Sequence, residues 1–397
     1  MPTNKKIAFF ISSFRAGGGE KQMVELANTF AARTSSTGGK PQVDLLVLNP
    51  VGQLATTVNP SVRVISLRRS RMLSSLSPLI DYLKLEQPNV ILAADEYSQL
   101  LALVARRYVV FRNKRAEPIR VVLRIGSVLG ELFEHYEGKS KIIPFFVRRL
   151  YKQADCIIAN SLGVADEVIL QTGIEPKRVT VIYNPKPRAE IVEKAKEKAE
   201  HLWLVQKTLP VVLGIGRLRV QKNFPLLIRA FAQVIKKTPA RLIILGVGRE
   251  GPRLEALVRE LGLGDSVSLP GYEENPYAFM SKADVFVLSS LWEGLPNALL
   301  EALIVGLPSI ATDCSSGPRE ILAPDTDHRT QLESGVEYAA YGVLTAVGDE
   351  EALVKALSAM LESAEMRQKY AQAGIERSAH FDAQDTIGQY AQALGQA

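Results

Sequence analysis

Val211-Val212-Leu213-Gly214-Ile215, followed directly by Gly216-Arg217-Leu218-Arg219-Val220-Gln221-Lys222-Asn223, lies just past the middle of a 397-residue chain. An apolar run that does not alternate reads as a strand buried on both faces, as in a parallel sheet covered by helices. That strand opens a series. Further strand candidates follow near 241–245, 266–269, 284–288 and 308–311, with helical stretches between them. The same alternation fills the first half, with candidates at 7–11, 43–48, 62–67, 89–94, 119–124, 155–160 and 178–182. Between the first two of these, Met23, Val24, Leu26, Ala27, Phe30 and Ala31 recur at helical spacing. Two such series predict an α/β protein of two doubly wound domains with a cleft between them.

The bulk properties agree. A chain of this length exceeds one ordinary core, and its 47% apolar and 23% charged residues are those of a globular protein. The only cysteines, Cys156 and Cys314, are far apart, which argues against a disulfide framework or zinc site and fits a reducing compartment. Ile7–Ile11 is too short for a signal-peptide core or a membrane span, and no later apolar stretch approaches spanning length. A cytoplasmic protein is expected.

The predicted boundaries are 1–187 for the first domain and 188–208 for a charged, Ala/Glu/Lys-rich linker. The second domain is expected at 209–380, and a last helix at 381–397. Charge divides unevenly. Residues 1–200 carry 30 Lys and Arg against 19 Asp and Glu, a net of +11, and the remainder carries 18 against 23, a net of −5. Basic clusters at Arg68, Arg69 and Arg71, and at Arg106, Arg107, Arg112, Lys114 and Arg115, read as a solvated face or as a surface for an anionic membrane. No aromatic platform interleaves them, so nucleic acid is not expected as a partner.

Ligands of open parallel sheets bind outside the C-terminal strand ends. After the strand at 284–288 and the turn Ser289-Ser290 comes Glu293-Gly294-Leu295-Pro296-Asn297-Ala298-Leu299-Leu300-Glu301. Pro296 suits a first helical turn, which leaves backbone N–H groups open to an anion. Glu301 falls among Ala298, Leu299, Leu300, Ala302, Leu303, Ile304 and Val305. A carboxylate in such company must be paired within the protein or bound to a ligand. Arg217 and Lys222, five residues apart in a strand-end loop, can converge on one diphosphate. Arg15-Ala16-Gly17-Gly18-Gly19-Glu20, between the first strand and first helix, reads as a loop for close ligand approach or as a flexible turn.

Two other motifs compete. Gly246-Val247-Gly248-Arg249-Glu250-Gly251 fits the dinucleotide fingerprint, with Glu273 near the distance of a ribose-binding acid. That supports an NAD-dependent dehydrogenase, although the unit is the second of its domain and leaves Arg217, Lys222, Glu293 and Glu301 without a role. Asp325-Thr326-Asp327 resembles a metal-binding Asp-x-Asp but lies in an irregular polar stretch, so no metal site is assigned.

Taken together, these residues resemble the group 1 (family 4) retaining glycosyltransferases of the GT-B fold, which has two Rossmann-like domains facing each other across a cleft. Glu293 and Glu301, with their flanks Ser290-Leu291-Trp292 and Ala302–Pro308, match the family's Glu-x7-Glu element. Gly216-Arg217-Leu218 with Lys222 matches its diphosphate-binding pair, and Gly17-Gly18-Gly19-Glu20 its N-terminal Gly-Gly-x-Glu loop. Asn160-Ser161, Ile182–Pro185, Gly246–Gly251 and Gly317-Pro318-Arg319-Glu320 also fit its pattern.

The resemblance implies that Glu301 holds the ribose hydroxyls and Glu293 faces the donor sugar. Arg217 and Lys222 neutralise the leaving diphosphate, assisted by backbone near Gly18, Gly19, Gly216, Asn297, Ala298 and Leu299, while the backbone near Tyr272 holds the base. It implies a last helix that crosses back to the first domain. It also implies transfer of a hexosyl or N-acetylhexosaminyl unit from a nucleotide sugar, with UDP as the expected nucleotide. The acceptor would be a glycan or lipid-linked acceptor of bacterial surface polysaccharide synthesis. No cofactor or metal is called for. Where many members carry a histidine near the sugar, this chain reads Leu123-Arg124-Ile125-Gly126-Ser127. Arg124 takes part of that role, with Glu20 nearby, or the acceptor is held differently. A sugar-nucleotide epimerase of the same fold remains an alternative. Ile142-Ile143-Pro144-Phe145-Phe146-Val147-Arg148-Arg149 reads as an interfacial segment, for peripheral membrane binding, or as an ordinary buried helix start.

Overall fold

The computed structural model describes residues 5–15, 18–33, 41–67, 73–112, 119–134 and 138–395. Its backbone divides into two compact units, Met1–Asn184 with Gln384–Ala397, and Pro185–Ala383.

The first unit is built on β1 (Lys6–Ser13), β2 (Gln42–Asn49), β3 (Arg63–Ser66), β4 (Val90–Ala93), β5 (Arg120–Ile125), β6 (Cys156–Ala159) and β7 (Val179–Val181). They pair in the order β3-β2-β1-β4-β5-β6-β7, every pair parallel. The central strands are apolar on both faces because a helical layer covers each. Ala8, Phe10 and Ile91 pack into one core, and Ile7, Phe9 and Ile11 into the other. Helices start where the sequence supplies caps. The helix Leu162–Thr172, for example, begins with Ser161 Oγ accepting from Val164 N at 3.3 Å and ends on Gly173 at φ +63°.

The second unit repeats the plan with β8 (Val211–Ile215), β9 (Arg241–Leu245), β10 (Val267–Gly271), β11 (Val285–Leu288), β12 (Ser309–Thr312), β13 (Val336–Tyr338) and β14 (Val343–Thr345). The order is β10-β9-β8-β11-β12-β14-β13, with only β13 antiparallel to its neighbour. Among the parallel strands of each sheet the order reverses once, between β1 and β4 and between β8 and β11. These are the switch points where doubly wound sheets open a crevice at their C-terminal edge.

Residues 188–208 carry only two short helices, Arg188–Lys194 and Leu202–Val205. They are fastened to the second unit. Asn275 Nδ2 donates to Lys194 O at 2.9 Å, Ser281 Oγ donates to Ala195 O at 2.7 Å, and His201 Nε2 meets Ser268 Oγ at 3.1 Å. The last helix, Ala383–Ala393, runs into the first unit and buries Ile387, Tyr390, Ala391 and Leu394 in the core of Ile7, Phe9 and Ile11.

Candidate active site

Arg217 and Lys222 occupy the loop that leaves β8, and Glu293 the loop that leaves β11, on either side of the second unit's switch point. The two loops are laced together. Leu291 N donates to Gln221 O, Gln221 Nε2 to Trp292 O and Ser289 Oγ to Lys222 O, each at 2.8 Å. Lys222 Nζ is ion-paired with Glu293 Oε1, and the same oxygen accepts from Ser290 Oγ at 2.6 Å. Both side chains are largely buried, at 17% and 8% exposure. Gly216 makes room for the lysine stem, since a Cβ there would meet Lys222 Cε at 3.0 Å. Burial pushes the neighbouring Cys314 thiol well up, and the charge of Glu293 adds to the effect. Arg217 is exposed.

The helix Asn297–Ile304 starts from Pro296, and its first-turn bonds run from Leu299 and Leu300 N to Pro296 O at 3.2 and 3.3 Å. Asn297 and Ala298 therefore stand at its positive end. One turn on, Glu301 Oε1 accepts from Lys186 Nζ at 2.7 Å, and the glutamate side chain keeps 15% of its surface open. Among the described residues, Oε2 of Glu301 and Oε2 of Glu293 take no protein hydrogen bond. Each carboxylate is thus tied to a lysine by one oxygen and offers the other. Tyr272 follows the edge strand β10 with its ring exposed.

The dinucleotide fingerprint has a different explanation. Gly246 sits at φ +139°, and a Cβ there would lie 1.9 Å from Gly216 O; one on Gly248 would lie 2.1 Å from Leu218 O. The chain between them bonds that loop, with Leu218 N donating to Val247 O at 3.0 Å. These glycines let one strand-end loop press against another, which leaves that spacing without need of a pyrophosphate. In the Asp-x-Asp stretch, Asp325 and Asp327 are exposed, while Thr326 Oγ1 accepts from Arg319 Nη1 at 3.1 Å. Among the described residues, no cluster of three potential metal ligands occurs.

Gly18, Gly19 and Glu20 form the start of the helix Gly18–Ala32, after β1 in the first unit; Gly17, Arg68, Arg69, Arg71, Lys114 and Arg115 lie outside the described residues. Arg124 is 2% exposed. Its Nε donates to Tyr390 Oη at 3.1 Å and its Nη2 to Asn184 Oδ1 at 2.6 Å. That guanidinium anchors the terminal helix.

Two residues missed in the sequence join Glu20 at this switch point. Asp95 Oδ2 accepts from Ser12 N at 2.9 Å and Oδ1 from Ser98 N at 3.0 Å. Burial raises its pKa above the usual carboxylate range. Burial also pushes Glu96 up to about 7, with the charges of Asp95 and Glu20 adding to it. Their position directly after the strand at 89–94 was the available signal.

Two Rossmann-like units, with cations, a helix N-terminus and two half-satisfied carboxylates at the second switch point, define a glycosyltransferase of the GT-B class. Residues 16–185 match the model of Glycosyltransferase Family 4 and residues 195–377 that of Glycosyl transferases group 1, and the chain belongs to this family. Over 95% of its length it is 28% identical to N-acetylgalactosamine-N,N'-diacetylbacillosaminyl-diphospho-undecaprenol 4-alpha-N-acetylgalactosaminyltransferase of Campylobacter jejuni, covering 96% of that protein. It is 27% identical, over 67% of each chain, to lipopolysaccharide 1,6-galactosyltransferase of Escherichia coli. The fold matches the crystal structure of Anabaena HepE in complex with UDP and glucose, with a TM-score of 0.76 at 20% identity over 99% of this chain and 100% of that one.

Proposed function

We propose that the protein transfers a hexosyl or N-acetylhexosaminyl unit, with retention, from a UDP-sugar to a glycan or lipid-linked acceptor of a bacterial surface polysaccharide. The observation that carries this reading is the convergence of Lys222, Glu293 and the helix start at Asn297 on the switch point between β8 and β11. Arg217, Lys222 and the helix terminus stabilise the diphosphate as it leaves. The bond from the sugar C1 to the diphosphate oxygen breaks. The acceptor oxygen bonds to C1 on the same face, and its proton passes to the departing phosphate oxygen. The free oxygen of Glu293 receives a donor-sugar hydroxyl, and that of Glu301 the ribose hydroxyls. With that positive charge supplied by the protein, no divalent cation is required. The acceptor class is supported by the nearly full-length relative whose name specifies an undecaprenol-linked substrate.

A peripheral membrane position fits such an acceptor. The helix Ile143–Leu150 buries Ile143 and Val147 while exposing Phe145 at 65% and Phe146 at 40%, beside exposed Lys141, Arg148 and Arg149. Aromatic side chains framed by cations suit the interface of an anionic bilayer. No helix among the described residues is long and apolar enough to cross one. Co-flotation with anionic liposomes, lost on replacing both phenylalanines by serine, is expected; no co-flotation of the native protein removes the membrane position.

The test of the function is turnover of UDP-sugars with and without acceptor. Transfer requires the acceptor, whereas an epimerase would convert the donor alone. Lys222→Ala and Arg217→Ala should each lower kcat by roughly a hundredfold or more, as removal of preorganised transition-state charge does. Turnover within a fewfold of native in both would refute the electrostatic account.

A further inference from the structure

We infer that Lys186 is a positioning residue for the nucleotide: it pins one oxygen of Glu301 so that the other faces the ribose. This rests on the reading of Glu301 as the ribose-binding carboxylate.

Lys186 is 6% exposed, a degree of burial rare for a lysine without a partner. Among the described residues its ammonium bonds only Glu301 Oε1, at 2.7 Å and across 115 positions of sequence. The backbone that carries it is held on every side. Lys186 N donates to Phe381 O at 3.1 Å, while Lys186 O accepts from Ala383 N at 3.1 Å and from Arg188 N at 2.9 Å. Pro185 and Pro187 flank it and restrict the chain further. A long side chain issuing from so fixed a base delivers its ammonium to one place, and little ordering remains when a ligand arrives.

The location adds to the argument. The first unit ends at Asn184 and resumes at Gln384. Lys186 follows the first of these crossings by two residues, and its backbone pairs in parallel with Asp382 just before the second. The carboxylate proposed to hold the ribose is therefore fastened, through one side chain, to the backbone where the chain passes between units in both directions.

The geometry also says what Lys186 does for the ligand. Glu301 projects from a helix whose neighbours Leu299, Leu300, Ala302, Leu303 and Ile304 are buried. A carboxylate in that setting without a counter-charge is costly to bury. Paired through Oε1 with Lys186 Nζ, it keeps Oε2 for hydroxyl donors.

The experiment compares binding of UDP and 2′,3′-dideoxyuridine diphosphate by calorimetry. The native protein should prefer UDP, because only UDP brings ribose hydroxyls. Lys186→Met should weaken UDP roughly tenfold, leave the dideoxy analogue nearly unchanged, and raise KM for the donor more than it lowers kcat. Lys186→Arg should restore most of the preference, and serves as the reporter if the methionine variant melts below the assay temperature. Combining Lys186→Met with Glu301→Ala should cost little more than Glu301→Ala alone. The inference is overturned if Glu301→Ala abolishes the preference and neither Lys186 variant alters it, or if Lys186→Met weakens both nucleotides equally. If Glu301→Ala keeps the preference, or the native protein binds no UDP, the functional reading fails instead.

Discussion

Glu293→Gln is expected to tighten binding of UDP while nearly abolishing transfer. Lys222 Nζ is paired with Glu293 Oε1, so the cation assigned to the diphosphate already has a counter-charge. Arg217, Lys222 and Glu293 together contribute a net charge of about +1, and the glutamine variant raises it to about +2 with the hydrogen bond from Ser290 Oγ still possible. If Lys222 bridges a phosphate oxygen and the carboxylate, those two anions are about 5.5 Å apart. At an effective dielectric constant of about 20 their repulsion is about 3 kcal/mol per unit charge, and partial screening brings this to about 1–3 kcal/mol. That corresponds to UDP binding roughly 5- to 150-fold tighter. Transfer should fall by roughly a hundredfold or more, since the carboxylate proposed to hold the donor sugar is gone. Calorimetry with UDP at two salt concentrations and turnover with the UDP-sugar read the two effects separately. The gain should shrink at high salt. Unchanged or weaker UDP binding would refute the reasoning, because Glu293 would then be orienting Lys222 for the phosphate rather than competing with it.

The first unit's buried acids and the Arg124 contacts carry further outcomes. Glu96 has a pKa raised from 4.5 to about 7 in the folded protein, so between those values the native state holds a proton that the unfolded chain releases. Stability contributed there declines as pH rises through that window; Glu96→Gln should therefore raise Tm at pH 8, by at most about 3 kcal/mol in stability, and change it little at pH 4.5. Equal shifts at both pH values would contradict this. Arg124→Met removes the bonds to Tyr390 Oη and Asn184 Oδ1, so Tm should fall, by roughly 2–4 kcal/mol in stability, and limited proteolysis should release the terminal helix. A raised acceptor KM with unchanged Tm would instead return Arg124 to the acceptor side. Turnover should survive exhaustive treatment with EDTA, and a loss restored by Mg2+ or Mn2+ would show that Arg217 and Lys222 do not carry the leaving-group charge alone.

The strands were readable because a parallel sheet buried on both faces writes each strand as an unbroken apolar run. All twelve sequence-level candidates coincide with strands. Strands β13 and β14 escaped because each is only three residues long, and Val336-Glu337-Tyr338 also carries a charge at its centre. Composition marks 188–208 as a helical linker but cannot say what fastens it, since Asn275, Ser281 and Ser268, which hold it, lie some 70 to 90 positions further on. The glycine fingerprint is ambiguous for a related reason. A tight approach of backbone to backbone and of backbone to pyrophosphate demand the same residue type, and Gly216 O, the atom that excludes a side chain at Gly246, is 30 positions away. Arg124 lies next to last in β5, and its partners Tyr390 and Asn184 come to it from elsewhere in the chain, beyond the reach of local sequence.

The candidate site divides along the same line. Glu301 could be singled out because an acid inside an apolar helix requires a partner, yet local sequence cannot say whether that partner is protein or ligand. The geometry admits both, one oxygen for each. Glu293 repeats the arrangement with Lys222 and Ser290. Burying a carboxylate next to a ligand's hydroxyls sharpens each hydrogen bond at a cost in desolvation, and a lysine on the far oxygen offsets that cost without occupying the near one. The two lysines then differ in consequence. Lys222 lies in the loop proposed to grip the diphosphate, so its bond to Glu293 competes with the ligand. Lys186, clamped between prolines at the chain crossing, is tied to the carboxylate proposed to face the ribose, so its bond to Glu301 works with the ligand. Removing the carboxylate from the first pair should therefore strengthen nucleotide binding, and removing the lysine from the second should weaken it.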